Sequence, residues 1–316
     1  MKAKTIDVSI LIVSWNTIEL VDSCLSSIEE QIGTDLAVET ILVDNASADG
    51  TSALVKENYP DVLLIENTEN VGFANAVNQA AREASGRYFF LLNSDAKLLD
   101  RKLPELVSLM DADDSIGVAS GALEGRNHRR HMPCRAFPSL IDLVLSYTVD
   151  CVYQFQRGKP RSGQRREVAE YENGTKWCET DWIPGCYMLV RRDLMDADGL
   201  LDHRIFMYYE DTLLCHKAWD RGYRVVSVDT ACVYHHSGAS ARQISTTTTC
   251  HSYKSSRIYV ESLNGPRTLW WYERYNRGVW RLFISVFFIL ENVGLREKAQ
   301  EKRALFSALL NIPRLT

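Results

Sequence analysis

Residues 40–47, TILVDNAS, and residues 87–95, RYFFLLNSD, indicate the fold of this chain, because each joins an apolar run to an acidic residue. The runs are rich in β-branched or aromatic side chains and predict buried strands. Asp44 and Asp95 lie where these strands end, the edge at which open α/β sheets bind ligands. An unpaired carboxylate there would cost free energy. The two aspartates therefore predict a ligand hydroxyl, a bound cation or a hydrogen-bonded cap.

Strands and helices alternate around these segments up to about residue 120. The pattern predicts strands at residues 8–14, 40–43, 62–65 and 87–92, and helices at residues 17–31, 51–58 and 75–84. Further on it predicts strands at residues 187–191 and 223–228 and a helix at residues 211–221. Repeated β–α–β units predict an α/β fold with a mostly parallel central sheet and helices on both faces. The G-x-G-x-x-G fingerprint is absent, which disfavours the dinucleotide-binding variant.

The composition is that of a globular protein, with 316 residues, 46% hydrophobic and 24% charged. The net charge of −5 is uneven, because residues 126–135 and 157–166 form basic patches. Such patches in an acidic chain favour an anionic ligand or surface, and no nucleic-acid partner is expected. Residues 122–180 have poor periodicity, which predicts a functional or disordered insertion, with residues 156–166 as a mobile loop.

The cysteines predict the cellular compartment. There are eight, without a C-x-x-C pair, and we expect no signal peptide before the first strand, because Lys2 and Lys4 lead directly into it. We therefore expect free thiols in a reducing cytoplasm.

An ordered series of segments resembles the family 2 inverting glycosyltransferases, which have the GT-A fold. The segments are residues 8–16, 43–51, 67–78, 92–95, 182–191, 206–211 and 235–240. The resemblance covers residues 6 to about 260 and is closest to the rhamnosyltransferase-like enzymes of bacterial cell-surface polysaccharide assembly. It implies a nucleotide-diphosphate sugar donor, dTDP-rhamnose first, and a saccharide or polyprenyl-linked acceptor. The alternatives are UDP-galactofuranose, a UDP-hexose, or a catalytically silent nucleotide-sugar-binding protein.

The nucleotide is expected at the first strand ends. Asp44 is suited to accept hydrogen bonds from a base or ribose, although it could instead cap the helix that begins near Asp49. Asn70 and Gly72 introduce the helix at residues 75–84, and a glycine there lets the backbone approach a polar ligand closely. A plain turn and cap is the alternative for these two residues.

Asp95 is the predicted metal ligand, because carboxylate oxygens and substrate phosphates suit Mg²⁺ or Mn²⁺. Asn93 stands where the family carries the first acid of an Asp-x-Asp motif, and its amide would coordinate more weakly. The resemblance implies a further metal or pyrophosphate contact at His235. His236 is the alternative ligand. The plainer interpretations are that the histidine has a structural role and that Asp95 caps a turn or helix.

Asp211 is the predicted general base, because a direct inverting displacement needs a carboxylate to take the acceptor's proton. Glu210 is expected on the acceptor side and could raise the pKa of its neighbour. Alternatively, both acids complement the dipole of the helix that begins there. The family's motif usually continues with an Asp and an Arg, where this chain has Leu213 and Lys217.

Trp182 and Gly185 are expected to bind the acceptor, because an aromatic face stacks on the apolar side of a sugar ring. A core tryptophan is the alternative.

The sequence predicts a glycosyltransferase domain at residues 1–265 and a helical region at residues 266–316. The apolar run at residues 282–290 is shorter than the roughly 20 residues that a spanning helix needs. Because arginines and aromatic residues precede it, the run predicts an interfacial helix at the inner face of the cell membrane. The alternative is an amphipathic helix that forms a homodimer or docks on the chain itself.

Overall fold

The computed structural model describes residues 5–148, 168–170, 174–236, 246–292 and 296–315. The chain forms two compact units. The first comprises Met1–Ala136, Gln164–Phe206 and Glu210–Ser240, and the second comprises Phe137–Gly163, Met207–Tyr209 and Ala241–Thr316.

The elements follow the predicted alternation through residue 92. The strands are β1 (Val8–Ser14), β2 (Val38–Asp44), β3 (Leu63–Glu66), β4 (Tyr88–Leu92), β5 (Ala96–Leu98), β6 (Ile116–Ser120), β7 (Leu123–Glu124), β8 (Arg130–His131), β9 (Ala169–Glu170), β10 (Lys176–Glu179), β11 (Tyr187–Arg191), β12 (Arg224–Val228) and β13 (Val233–His235). The helices are α1 (Ile18–Gln31), α2 (Thr51–Asn58), α3 (Phe73–Glu83), α4 (Leu103–Ala112), α5 (Leu140–Ser146), α6 (Glu210–Asp220), α7 (Thr246–Asn292) and α8 (Arg296–Leu310).

The first unit is built on a mixed sheet of strand order β3-β2-β1-β4-β11-β6-β12-β10-β9. The strands β3, β2, β1 and β4 are parallel, as the β–α–β pattern predicts. β11 enters antiparallel between β4 and β6, and β12 runs parallel to β6. A second sheet has the order β5-β13-β7-β8. The α/β fold with a large central sheet is therefore confirmed.

The strands that carry the sheet are buried because their side chains are apolar on both faces. Every residue of β4 is buried, and Val21, Leu25 and Ile28 of α1 lie in the same hydrophobic core as apolar residues of β1. Burying each such side chain contributes about 1.5–3 kcal/mol. The small residues of α3 let that helix approach the sheet closely, and its buried Asn78 donates a hydrogen bond to the Leu201 carbonyl at 2.8 Å.

The register of these strands places several strand ends at one edge of the sheet. Ser14 pairs with Asp44 at the carboxyl ends of β1 and β2. Leu92, at the carboxyl end of β4, pairs with Tyr187 at the start of antiparallel β11. The loops that follow β1, β2 and β4 therefore share this edge with the loop that precedes β11.

The second unit is helical. α7 is interrupted at Gly265, where φ is 76° and Pro266 follows. Trp280 is buried, and its indole donates to the Tyr147 carbonyl at 2.7 Å. The rings of Phe287 and Phe306 stack at 6.1 Å, which packs α7 against α8.

The structure corrects the prediction that all cysteines are free thiols. Cys134 and Cys178 form a disulfide. Cys134 and Cys178 come together because Arg135, the residue after Cys134, forms an antiparallel β-bridge with Trp182. Trp182 lies just after β10, the strand that contains Cys178. Sequence spacing does not reveal this pairing. The other described cysteines, Cys24, Cys186, Cys215, Cys232 and Cys250, are free.

Two predictions fall on parts of the chain that lie outside the described residues. These are the mobile loop at residues 156–166 and residues 237–240 of the last family-like segment. Within the described ranges, no helix combines the length and apolar character that crossing a bilayer requires.

Candidate active site at the sheet edge

Asp44 is buried at the end of β2, and its carboxylate accepts hydrogen bonds from the hydroxyls of Ser47 and Ser52. The N-cap of α2 is Gly50, and the side chain of Asp49, not that of Asp44, accepts from the backbone N–H of Thr51 at 3.1 Å. A carboxylate offers about four lone-pair sites. Asp44 also accepts from the Ser47 backbone N–H at 3.2 Å, so it retains capacity for about one further ligand donor.

Asn70 and Gly72 form a tight turn before α3. The Asn70 side chain accepts from the Gly72 backbone N–H at 3.0 Å. Gly72 has φ 86°, and a Cβ at this position would lie 2.6 Å from the Phe206 carbonyl oxygen. Buried Asn45 donates to the Gly72 carbonyl at 3.2 Å. The contacts of Gly72 are thus those of a packed turn and helix start, and Asn45 is a structural residue that the sequence did not single out.

The side chains of Asp95 and His235 meet directly, with His235 Nε2 3.1 Å from Asp95 Oδ1. Both are largely buried, with 9% of the Asp95 side chain and 20% of the His235 side chain exposed. The pairing arises because His235 lies opposite Ala96 in the antiparallel ladder of β13 and β5.

The pair is electrostatically matched. Burial acts to raise the pKa of Asp95, but the hydrogen bond and charge of His235 outweigh it, and the net pKa is lowered. Burial acts to lower the pKa of His235, but Asp95 and the Cys186 thiol raise it to about 10. Without a bound cation, these shifts favour an ion pair between the two side chains.

His236 and Asn93 act here through their backbones. The His236 backbone N–H donates to the Asp95 carbonyl at 3.0 Å. The histidine whose side chain reaches the Asp95 carboxylate is its neighbour, His235. The Asn93 backbone N–H donates to the Cys186 carbonyl at 3.1 Å, which joins the end of β4 to the start of β11.

Asp95 and His235 could hold a divalent cation as a two-residue set if the cation displaced the proton of His235, because an imidazolium has no lone pair with which to bind a metal. Among the described residues, no group of three or more His, Cys, Asp or Glu side chains is placed to hold a metal. A cation at this pair would therefore complete its shell with phosphate oxygens and water, as Mg²⁺ commonly does at phosphate sites. The imidazole favours Mn²⁺ over Mg²⁺.

Asp211 lies in the first turn of α6, with its carboxylate held at both oxygens. Oδ2 accepts from the Gly185 backbone N–H at 3.0 Å, and Oδ1 accepts from the Thr212 backbone N–H at 2.7 Å. Burial raises the pKa of Asp211, and these hydrogen bonds only partly oppose the rise. A carboxylate with a raised pKa is a better proton acceptor.

Glu210 is buried beside it, and burial together with the charge of Asp211 raises its pKa. Within the described part of the chain, its Oε2 atom is buried and has no hydrogen-bond partner.

Gly185 allows the backbone to approach Asp211. A Cβ on Gly185 would lie 3.3 Å from the Asp211 Cβ, tighter than ordinary van der Waals contact. The next residue, Cys186, contacts His235 and accepts from the Asn93 backbone. A short path of direct contacts therefore connects the carboxylate of Asp211 with the Asp95–His235 pair.

Trp182 is anchored by its surroundings. Its indole donates to the Ala136 carbonyl at 2.8 Å, and the Arg135 guanidinium lies 5.0 Å from the ring centroid. The ring is only partly buried. One of its faces is thus taken by Arg135, and its hydrogen bond gives it a structural role.

Two exposed residues near this edge were not predicted as site residues. Arg126 donates from Nε to the His236 carbonyl at 2.9 Å, which fixes a cation near the Asp95–His235 pair. Trp15, 53% exposed, directly follows β1. The basic patch at residues 126–135 was the available signal for Arg126, and an aromatic residue at a strand end was the signal for Trp15.

Comparisons with known proteins agree with this geometry. A family model described as glycosyl transferase family 2 matches residues 9–193. The chain is 24% identical over 251 residues to an N-acetylglucosaminyl-diphospho-decaprenol L-rhamnosyltransferase of Mycobacterium tuberculosis, covering 76% of this chain and 79% of that protein. It is 30% identical over 126 residues to a poly(ribitol-phosphate) beta-glucosyltransferase of Bacillus spizizenii, covering 39% of this chain and 20% of that protein.

Solved structures share the fold at low identity. S. aureus TarS 1–349 in complex with UDP is similar with a TM-score of 0.56 and 15% identity, covering 96% of this chain and 89% of that one. GalNAc-T7 with UDP, GalNAc and Mn²⁺ is similar with a TM-score of 0.56 and 14% identity, covering 81% of this chain and 48% of that one.

Proposed function

This chain belongs to glycosyl transferase family 2, and from that premise we propose that it is an inverting, metal-assisted transferase that moves a sugar from a nucleotide diphosphate to a saccharide. The GT-A fold that the resemblance implied is confirmed by the mixed sheet and its structural neighbours. We assign the transfer to residues 1–265, with residues 266–316 as a helical extension.

One observation carries the proposal. Asp211 connects through Gly185 and Cys186 to the Asp95–His235 pair, so a candidate base and a candidate phosphate site share one edge of the sheet. Such an arrangement suits a reaction in which an acceptor hydroxyl and a diphosphate leaving group flank one carbon atom.

The donor is held along the strand ends in this proposal. Asp44 accepts hydrogen bonds from the base or ribose, while Asn70, Gly72 and Asn93 line the nucleotide-sugar side. Asp95 and His235 would hold Mg²⁺ or Mn²⁺, and as a Lewis acid the ion would offset negative charge on the nucleotide leaving group. The structure of GalNAc-T7 was solved with UDP and Mn²⁺, which supports the proposal that a divalent ion assists transfer in this chain.

Asp211 takes the proton of the acceptor hydroxyl as that oxygen bonds to the anomeric carbon. The bond from this carbon to the diphosphate oxygen breaks on the opposite face, so the configuration inverts. Hydrogen bonds from Gly185 and Thr212 hold the carboxylate in one orientation. Trp182, Gly185 and Glu210 are assigned to the acceptor side.

The donor is proposed to be dTDP-rhamnose and the acceptor a lipid-linked saccharide at the cytoplasmic face of the membrane, for bacterial cell-surface polysaccharide synthesis. The Mycobacterium tuberculosis relative, an L-rhamnosyltransferase named for a diphospho-decaprenol acceptor, supports this choice. A UDP-galactofuranose or UDP-hexose donor is the second candidate. A catalytically silent nucleotide-sugar-binding protein is the third, favoured by the departures at Asn93 and Leu213.

Donor identity can be tested by thermal denaturation of the full chain with dTDP-rhamnose, UDP-galactofuranose and UDP-glucose, each with Mn²⁺. A ligand at about 100 times its Kd stabilises a protein by about 2.7 kcal/mol. We expect the largest rise in melting temperature with dTDP-rhamnose, and a smaller rise for Asp95→Ala. Exposed Asp61→Ala is the matched control and should respond like the wild type. Equal rises for Asp95→Ala and the wild type would contradict the donor site.

Whether the chain is a transferase or a silent binding protein is tested by nucleotide release. The protein is incubated with the stabilising nucleotide sugar and a lipid-linked N-acetylglucosamine analogue. Acceptor-dependent release of the nucleoside diphosphate supports transfer. Binding without release assigns the chain to the silent class.

A further inference from the structure

The part of α7 that follows Gly265 exposes large apolar side chains to solvent. They are Trp270, Trp271, Tyr275, Leu282, Val286, Phe288 and Ile289, of which Trp271 is 65%, Leu282 61% and Ile289 61% exposed. The stretch from residue 270 to residue 289 is about 30 Å long at the helical rise of about 1.5 Å per residue. An exposed apolar surface of this kind usually marks an interaction site.

These side chains are arranged in rows along the helix. At about 100° per residue, Trp271, Tyr275, Leu282, Val286 and Ile289 fall within an arc of about 60°. Arg267, Arg274 and Arg281 are exposed and fall within an adjoining arc of about 40°. Trp270 and Phe288 lie on the far side of the arginine row. The exposed surface of residues 267–289, hereafter the outer face, therefore alternates apolar and basic rows.

The opposite side of the same helix is already packed. Tyr272, Asn276 and Trp280 are buried, and Tyr253 contacts Trp280 with ring centroids 4.8 Å apart. Because this inner side is packed within the second unit, the helix cannot turn its outer face inward without exposing a larger core.

The outer face carries positive charge without compensation from its own segment. Glu273 is the one acidic residue between Arg267 and Leu290 in the sequence. It is buried and pairs with Arg257 at 3.2 Å. No carboxylate of this segment is therefore available to neutralise the three exposed arginines.

We propose that the outer face binds the surface of an anionic lipid bilayer, with its apolar rows inserted between headgroups and its arginines against lipid phosphates. Tryptophan and tyrosine favour the interfacial layer, and basic side chains are drawn to anionic headgroups. The charge argues against a second copy of this chain as the occupant. A two-fold contact brings the same patch onto itself, so arginine rows would face each other without carboxylates from this segment between them.

The inference extends the proposed function but does not depend on it. A bilayer-bound enzyme would meet a lipid-linked acceptor in two dimensions, yet vesicle binding requires no sugar transfer. Failure of vesicle binding would leave nucleotide-sugar binding intact, and the reverse also holds.

The test is flotation of the full chain with vesicles of phosphatidylcholine alone and of phosphatidylcholine with phosphatidylglycerol. We expect binding to the anionic vesicles that weakens at high salt, because exposed charges are screened. Two triple variants separate the rows, Trp271→Ser/Leu282→Ser/Ile289→Ser and Arg267→Gln/Arg274→Gln/Arg281→Gln. The first should lose binding by about tenfold or more, and the second should lose the preference for anionic lipid.

Ile141→Ser is the matched control, because Ile141 is an apolar residue of α5 that is 69% exposed. It should float like the wild type, and circular dichroism checks that every variant is folded. Equal binding of wild type to neutral and anionic vesicles, or unchanged flotation of the apolar variant, would overturn the proposal. So would a concentration-dependent dimer in sedimentation that this variant abolishes, because the face would then belong to a second copy. If the triple variant does not fold, Trp271→Ser alone and the salt dependence of the wild type decide the question.

Discussion

Asp211→Asn should separate sugar transfer from donor binding. Its effect on stability can be worked from the contacts. The asparagine oxygen can keep the position of Oδ1 and its hydrogen bond from Thr212, 2.7 Å in the aspartate. The amide NH₂ then faces the Gly185 N–H, 3.0 Å from the present Oδ2, and one hydrogen bond is lost. Leaving such a donor unpaired costs about 1–3 kcal/mol, partly offset by removal of a charge that burial disfavours.

The effect on catalysis is much larger. Removing a general base typically lowers the rate by about 10²- to 10⁴-fold, which corresponds to about 2.7–5.4 kcal/mol of activation free energy. The measurement is the rate of acceptor-dependent nucleotide release beside the donor Kd from calorimetry on the same preparation. We expect the Kd to stay within about threefold while the transfer rate falls by at least about 100-fold.

Thr212→Val is the matched control. It removes the hydroxyl that donates to Asp211 Oδ1 at 3.1 Å but leaves the carboxylate in place. Its transfer rate should fall by less than about tenfold. Near-normal transfer by Asp211→Asn would refute the assignment of the base, and Glu210 would be next to test. Loss of donor affinity in Asp211→Asn would instead place the residue in the donor site.

Three further predictions follow from named contacts. Because the pKa of Asp211 is raised, Asp211 should lose its function as a base when the pH falls through a value above the ordinary aspartate pKa of about 3.9. The acid limb of the kcat/KM profile should therefore lie above about pH 4. A limb at or below that pH contradicts the assignment of Asp211 as the base. Arg126→Gln should raise the donor KM by about tenfold or more, because it removes a cation near the proposed phosphate site that is fixed by a hydrogen bond of 2.9 Å to the His236 carbonyl. Exposed Arg129→Gln should leave the donor KM unchanged. Glu273→Gln should lower the free energy of unfolding in urea by about 3–5 kcal/mol, because it leaves Arg257 buried without its counter-charge. Glu66→Gln breaks an exposed ion pair with Lys56 and should lower the free energy of unfolding by no more than about 1 kcal/mol.

The first half of the fold could be predicted from the sequence because its signals are local. Largely apolar runs define β1 and β4, and the predicted helix at residues 51–58 matches α2. Asp44 and Asp95 could be selected because an acid at the end of a buried strand needs a partner. Which partner each one has was not predictable, and Asp44 proved to accept from the hydroxyls of Ser47 in the following loop and of Ser52 in α2.

The rest depends on contacts between distant parts of the chain. His235 and Asp95 are 140 residues apart, and they meet through two three-residue strands that are too short to show a periodic pattern. The antiparallel entry of β11 between β4 and β6 brings Gly185 to the site, and no local signal reports strand order. The Cys134–Cys178 disulfide was missed for the same reason.

The anomeric configuration of the product tests the central claim most directly. The wild-type chain is given dTDP-rhamnose, Mn²⁺ and a lipid-linked N-acetylglucosamine analogue, and the new glycosidic linkage is read by nuclear magnetic resonance. The account predicts a product of opposite configuration to the donor, formed by the wild type and reduced at least about 100-fold in Asp211→Asn. A product of retained configuration, or donor binding without any product, would contradict it.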